Sequence, residues 1–376
     1  MNSKLKTLKL KLSELKHRFC YKYNYDKMAI AMEKYKNCPI EEKKDLFQIK
    51  KEIKMLKNYW KCYPTHYFRY ELYKKEKSLS DEELKNYIPE FFFYSIFLPQ
   101  FEDKKYTFLI EEKNITDLYF KGIDIKTPKL LGRIIKNQIF TSIMKKVNIQ
   151  EFTKSVNALK IERIFFKPVN GQGGYEIDIF NRIENEVYKT KQGKKLDDNY
   201  LKNLKNDYII QKNLKQIEDI SKIYPMSINT FRIATENRNG KVRIVCATLR
   251  IGKDGKEVDN SAQGGIVLGI NIKNGEFKDF ATTELCEKFY EHPNTNYIFK
   301  DKKIKEWEKI KNFTIEAAKK IPYFCYLGWD VALTEEGPVA IETNLGFGID
   351  HYQIPLGGLR EMFVINNPKK YWDEIR

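Results

Sequence analysis

The chain has 376 residues, more than one typical core supports, so two or three packed units are expected. Its 42% hydrophobic content, with 24 Tyr and 24 Phe, excludes a disordered chain even though 32% of the residues are charged. The 68 Lys+Arg against 51 Asp+Glu leave a formal charge of +17, which favours nucleotides, sugar phosphates, nucleic acid or an acidic membrane face without choosing among them.

In chain order, Leu5, Leu8, Leu12, Leu15 and Phe19 form an apolar stripe at helical spacing, with lysines over the remaining surface. A solvated helix packing its leucines on the body is the expectation; its basic face also permits contact with a membrane surface. Lysines interrupt this start too often for a secretion signal, and the most apolar run, Ile88 to Pro99, falls short of the roughly 20 residues of a membrane span. Six cysteines without a CxxC pair read as reduced thiols. Residues 1 to about 100 read as mostly helical, with Ser80 and Glu83 as a capping box for a helix at 81–87. The aromatic segments Tyr59 to Tyr70 and Phe91 to Phe97 read as core.

From about 103 the pattern turns to short β-rich runs, 106–111, 163–168, 207–212, 228–236, 241–251, 264–272 and 329–344. Helical patterns at about 145–160 and 302–320 intervene, so a mixed α/β (α+β) body is expected. The Lys-rich piece from Lys189 to Asn206 reads as an insertion or hairpin tip.

The sharpest signal is GWDVALTEEGPVAIETN at 328–344, two β-like segments around Glu335-Glu336-Gly337. A three-residue loop ending in left-handed Gly337 sets Thr334 against Pro338 and Asp330 against Glu342. Alternation then puts Asp330, Ala332, Thr334, Pro338, Ala340, Glu342 and Asn344 on one face, and Val331, Leu333, Val339 and Ile341 on the other. Neighbouring carboxylates repel. A divalent cation relieves them, and an all-oxygen set suits Mg²⁺. A surface hairpin with ordinary solvated acids would show the same residues.

In FFKPVNGQGGYEI at 165–177, Lys167 ends a strand before a loop with Gly171, Gln172, Gly173 and Gly174, whose backbone N–H groups could approach phosphate oxygens. A flexible hairpin tip would look alike. YIIQKNLKQ at 208–216 could set Gln211 and nearby backbone against a planar base. Arg232 and Arg250 stand on strands joined through Asn239-Gly240; a guanidinium fork suits phosphate or carboxylate, although snorkelling surface arginines remain open.

Taken in order, these segments over about 105–358 resemble the ATP-grasp superfamily, most nearly its sugar-transfer-associated, teichuronopeptide-biosynthesis-like branch. The resemblance implies two α+β subdomains gripping ATP, at 103–212 and 213–376, behind an N-terminal helical region at 1–102. It implies that Lys167, Gly171, Gln172, Gly173, Gly174, Gln211, Lys212 and Asn260 bind ATP, and that Asp330, Glu342 and Asn344 bind Mg²⁺. Arg232 and Arg250 become the catalytic residues, and Asp259, Gly264 and Gly265 match further family pieces. Many relatives carry a lysine directly after an aspartate ahead of the ATP region. Here Leu118 follows Asp117, and Lys121 is the stand-in. Many also carry an arginine two positions before the metal aspartate, where this chain has Gly328.

The implied reaction is carboxylate–amine ligation through an acyl phosphate. It would join an amino acid or amino alcohol to a sugar carboxylate of a capsule or O-antigen, in the cytoplasm or at the inner membrane face, without nucleic acid. A kinase on the same scaffold is the alternative, and a non-catalytic basic module binding membrane or nucleic acid a second one. His351, a lone loop histidine, stays outside the catalytic set.

Overall fold

The computed structural model describes residues 12, 22–171 and 176–374. The N-terminal stripe, apart from Leu12, lies outside the described residues, as do Gln172, Gly173 and Gly174. Helices dominate residues 22–100, among them α1 (Lys22–Asn37), α2 (Leu46–Trp60) and α3 (Asp81–Asn86). α3 opens on the expected capping box, with Ser80 N–H donating to the Glu83 carboxylate at 2.8 Å and Glu83 N–H donating to Ser80 Oγ at 3.3 Å. The aromatic segments are core: Trp60, Tyr67, Tyr70, Phe92, Phe93 and Phe97 are buried.

The run 106–111 is not the expected strand. It forms a tight turn at Lys104–Tyr106 and a helical turn at Phe108–Glu111, and leads into α4 (Lys113–Gly122). Within it only Ile110 is buried, so it lacks the alternate buried positions that hold a strand in a sheet.

Among the described residues the strands form two seven-stranded antiparallel sheets. The first contains β1 (Leu130–Ile135), β2 (Gln138–Thr141), β3 (Lys146–Val147), β4 (Arg163–Pro168), β5 (Asp178–Glu184), β6 (Val187–Lys189) and β7 (Tyr208–Lys212), in the order β3-β2-β1-β7-β4-β5-β6. α5 (Ile149–Ala158) packs Ile149, Phe152 and Val156 onto it. The Lys-rich piece is no free tip: Leu196 and Leu201 are buried in this core, and Tyr200 meets Phe166 and Phe180 edge-on.

The second sheet contains β8 (Thr230–Arg238), β9 (Lys241–Ile251), β10 (Ile266–Ile270), β11 (Phe277–Thr282), β12 (Lys288–Phe289), β13 (Tyr326–Thr334) and β14 (Gly337–Asn344), in the order β12-β11-β10-β9-β8-β13-β14. Period-2 alternation gives it two differently used faces. Phe231, Ile233, Leu249, Trp329 and Val331 pack with α6 (Trp307–Lys319). On the opposite face Ala234, Cys246 and Tyr326 meet the N-terminal aromatics and α7 (Ile349–Leu356), and the same face carries the polar residues of the site. No helix among the described residues is long and apolar enough to cross a membrane.

The β8–β9 turn is a two-residue loop with both Asn239 (φ +53°) and Gly240 (φ +80°) left-handed, the backbone an Asn-Gly hairpin favours. The resulting register pairs Thr230 with Arg250 and Arg232 with Thr248, which sets both arginines on one face.

The final hairpin differs from expectation in its inner half. Gly337 is left-handed (φ +99°), but Thr334 pairs with Gly337 rather than Pro338. A bulge between Val331 and Asp330 absorbs Ile341 as an extra residue and restores the pairing of Asp330 with Glu342. In consequence Ala340 faces the core with Val331 and Leu333, not the site, while Ile341 lines the cavity.

Candidate active site

Two connected cavities open between the sheets. The narrower, about 120 Å³, is bounded by Phe165 and Lys167 of β4, Gln211 and Lys212 of β7, and Arg250, Asp330 and Glu342 of the second sheet. The larger, about 920 Å³, continues past Arg232 and Asn344 to the N-terminal helices and α7. Lys113, Lys167, Gly171, Gln211, Asn260 and Glu342 line both, and so form the wall where the two spaces join.

Asp330 is the electrostatic centre. Arg232 holds it bidentately, Nε and an NH2 nitrogen each donating at 2.8 Å, and Arg250 donates to the same carboxylate at 3.1 Å. Arg250 also donates to Asp259 at 2.8 Å, and Asp259 accepts from both the backbone N–H and the hydroxyl of Thr230. Burial alone would raise the Asp330 carboxyl, but Arg232 and Arg250 hold it well below its ordinary range. Glu342 goes the other way, pushed up first by burial and then by the charge of Asp330. The Asn344 amide reaches Glu342 at 3.5 Å, a long contact that leaves the carboxylate open.

Across the cavity stand two lysines. Lys167 has no hydrogen-bond or ion-pair partner among the described residues, and burial lowers its pKa despite the charge of Glu342. Lys113, at the first position of α4, donates to the Gly171 carbonyl at 2.6 Å, and burial lowers it too. Lys113 is the residue that sequence reading missed. Lys121, the expected stand-in, instead pairs at 2.9 Å with the buried Asp117, and, itself exposed, lines neither cavity. A lysine at the start of a helix bordering a glycine-rich loop was the available signal, hidden by the strand assigned to 106–111.

Gln211 is buried between β1 and β4, and its side-chain oxygen finds no partner among the described residues, although it lines both cavities. Lys212 borders only the narrower space. Asn260 lines both spaces, but its side-chain oxygen accepts the Ala262 N–H at 2.9 Å and so shapes its own turn. Gly328 is the position at which the sequence resemblance led to the expectation of an arginine. A Cβ there would lie 2.1 Å from Phe347 Cβ, so the space is already taken.

Residues 93–363 match the family model described as sugar-transfer associated ATP-grasp. The chain belongs to this family. Among solved structures, this ATP-grasp chain is similar to D-alanyl-alanine synthetase A from Vibrio cholerae, with 13% identity over 71% of this chain and 63% of that one and a TM-score of 0.38. It is also similar to D-alanine–D-alanine ligase from Bacillus anthracis complexed with ATP, with 14% identity, 71% and 68% coverage and a TM-score of 0.36. A third is an L-amino acid ligase from Bacillus licheniformis, with 11% identity, 67% and 44% coverage and a TM-score of 0.36. The match thus spans less than two thirds of two of these three chains. No curated protein matches the sequence.

Proposed function

We propose that this chain is an ATP-dependent ligase that joins a carboxylate to an amine through an acyl phosphate, acting in the cytoplasm. The observation that carries the reading is one continuous cavity that brings Lys113 and Lys167 to face Asp330, Glu342 and Asn344, with Arg232 and Arg250 alongside. Two lysines lining the junction of these cavities suit the charge of a polyphosphate.

Nucleotide fits these residues. Lys113, Lys167 and the backbone at Gly171, continued by Gln172, Gly173 and Gly174, would take phosphate oxygens. The unpartnered oxygen of Gln211, with Lys212, suits the amino edge of a purine base, and Asn260 stands at the junction of the two spaces. Mg²⁺ fits less simply. No group of three or more His, Cys, Asp or Glu side chains among the described residues could hold a metal, so the set is complete only with the Asn344 amide. Glu342 is its open member. Both oxygens of Asp330 are engaged by arginines, so a cation must share or displace one of them.

Bound MgATP would supply the γ-phosphoryl group that activates the acid. The chain's part is positioning and charge neutralisation, which is most of what phosphoryl transfer asks of a protein. The lysines balance the phosphates, while Arg232 and Arg250 orient the acceptor carboxylate or the group in transfer. The reading of the acid as a sugar carboxylate of a surface polysaccharide draws its support from the family resemblance, described as sugar-transfer associated, and from no residue of the site.

The test is incubation with MgATP and a uronic acid or its nucleotide sugar, with and without amine, followed by mass spectrometry. Amide formation with one ADP per bond is expected. A stable phosphorylated product without amide would establish a kinase instead, and failure of ATP to raise the melting temperature would remove the nucleotide reading.

A further inference from the structure

We propose that the outward face of α2, with the turn before it, docks on an anionic lipid bilayer. Ile40, Leu46 and Phe47 enter the hydrocarbon boundary, while Lys50, Lys51, Lys54 and Lys57 meet lipid phosphates. The inference goes beyond the ligase reading and stands independently of it.

The helix is anchored by its inner side. Ile49, Glu52, Leu56 and Trp60 are buried, spaced by three or four residues. Asp45 caps the helix by accepting the Gln48 N–H at 2.8 Å. Glu52, the one acidic residue of α2, accepts from Lys44 at 3.0 Å and from the Tyr67 hydroxyl at 2.5 Å, so it is held towards the core. The rotation of the helix is thereby fixed. Leu46, Phe47, Lys50, Lys51, Lys54 and Lys57 are all exposed, and at about 100° per residue they fall within an arc of about 140° that contains no acid. The nearest exposed acids in sequence besides the capping Asp45 are Glu41 and Glu42, in the preceding turn Ile40–Glu42.

Two features of this face point to a partner. None of its four lysines forms an ion pair among the described residues, whereas Lys85 of α3, Lys121 of α4 and Lys319 of α6 each pair with an acid of their own helix. At its N-terminal end Ile40, Leu46 and Phe47 are 85%, 65% and 80% exposed, and Ile40 and Phe47 are among the three most exposed large apolar side chains of the described residues. Single apolar side chains on a surface need no explanation, but three within 40–47 form a patch.

An anionic bilayer satisfies both features at once. Apolar tips sink below the headgroups, and long lysine stems reach back from the same helix to the phosphates. Nucleic acid would take the lysines and stack on Phe47, but Ile40 and Leu46 have no π-face to offer a base. A second copy of a chain carrying +17 would bring like charge against a face that already lacks acids. The bilayer is the partner whose charge and apolar interior complement the whole face.

Flotation of the full chain with vesicles of phosphatidylcholine, with and without phosphatidylglycerol, tests the proposal. The wild type is expected on the anionic vesicles only, and less of it as salt rises. Phe47→Ser should weaken partitioning about tenfold. Lys50→Glu combined with Lys54→Glu should weaken it about 100-fold. These side chains are exposed, so the melting temperatures should match that of the wild type. The control is Lys202→Glu combined with Lys205→Glu, the same change of charge on exposed lysines beside the first sheet, which should leave partitioning within about twofold. No binding to anionic vesicles, unaltered binding in Phe47→Ser, or an equal loss in the control pair overturns the proposal. So does self-association without vesicles that Phe47→Ser abolishes, which would assign the face to a second copy. Binding of single-stranded RNA that the Lys50 and Lys54 changes abolish while vesicle binding persists would assign it to nucleic acid and overturn the proposal as well.

Discussion

Arg232 and Asp330 pair directly across β8 and β13, and their side chains close a bidentate ion pair with both contacts at 2.8 Å. The pair is buried, with Arg250 as a third member. Removing one partner of such a cluster leaves uncompensated charge and typically costs about 3–5 kcal/mol. Asp330→Asn should therefore lower the melting temperature as well as abolish Mg²⁺-dependent turnover. Glu342→Gln should abolish turnover while leaving the melting temperature equal or higher, because the neighbouring Asp330 charge opposes the ionised form of Glu342. Thermal melts of the two metal-free variants side by side check this. A similar loss of stability in both would contradict the assignment of roles.

Lys113 and Lys167 face the same junction of the two cavities, whereas Lys121 stands outside it. Each loses roughly one charge-assisted contact with a phosphate when truncated, about 1.5–3 kcal/mol. Lys113→Ala and Lys167→Ala should each weaken ATP binding by about 10- to 100-fold by calorimetric titration, with Lys121→Ala unchanged. Normal affinity in Lys113→Ala would return the missing lysine to the open question posed by Leu118.

His66 is fully buried, with neither ring nitrogen partnered among the described residues, and burial, assisted by Arg69, lowers its pKa from 6.5 to about 3. A folded value below the unfolded one means the folded state binds fewer protons between these limits. This contribution is complete above pH 6.5 and is lost as the pH falls towards 3, with a slope approaching 1.4 kcal/mol per pH unit. Denaturant midpoints at pH 7 and 5 should differ in the wild type, and the difference should shrink in His66→Phe. An unchanged difference would place the acid sensitivity elsewhere.

Much of the second sheet was legible because its signals are local. Asn239-Gly240 demands a two-residue hairpin, and alternation along β8, β9 and β13 separates core from site. The pairing of Asp330 with Glu342 was reached by a different route from the chain's own: the turn closes one residue earlier than read, and the bulge at Ile341 cancels the difference. Bulges leave no mark in a pattern of apolar residues, so Ala340 was assigned to the wrong face. In the first sheet β1 and β2 went unread because their turn uses Lys136 and Asn137, both left-handed (φ +49° and +61°), without a glycine to announce it. The chain of contacts from Glu284 through His351 to Arg232 spans segments far apart in sequence, and no spacing rule could have joined them.

Phe347 presses on the backbone of Gly328 from the loop after β14, with no room for even a methyl group between them. Gly328→Ala should destabilise by about 1–3 kcal/mol through overpacking, measurable by denaturant titration, and Phe347→Ala should relieve it in the double variant. Additive losses in that double variant would show that something other than this contact constrains position 328.

The same contact decides what position 328 can hold. Arrival of a long side chain at 328 would first require the aromatic to leave, and its departure alone would hollow out the packing with Phe93 and Phe363. Position 328 and Phe347 are thus coupled, and a larger side chain at one is accommodated only with a smaller one at the other.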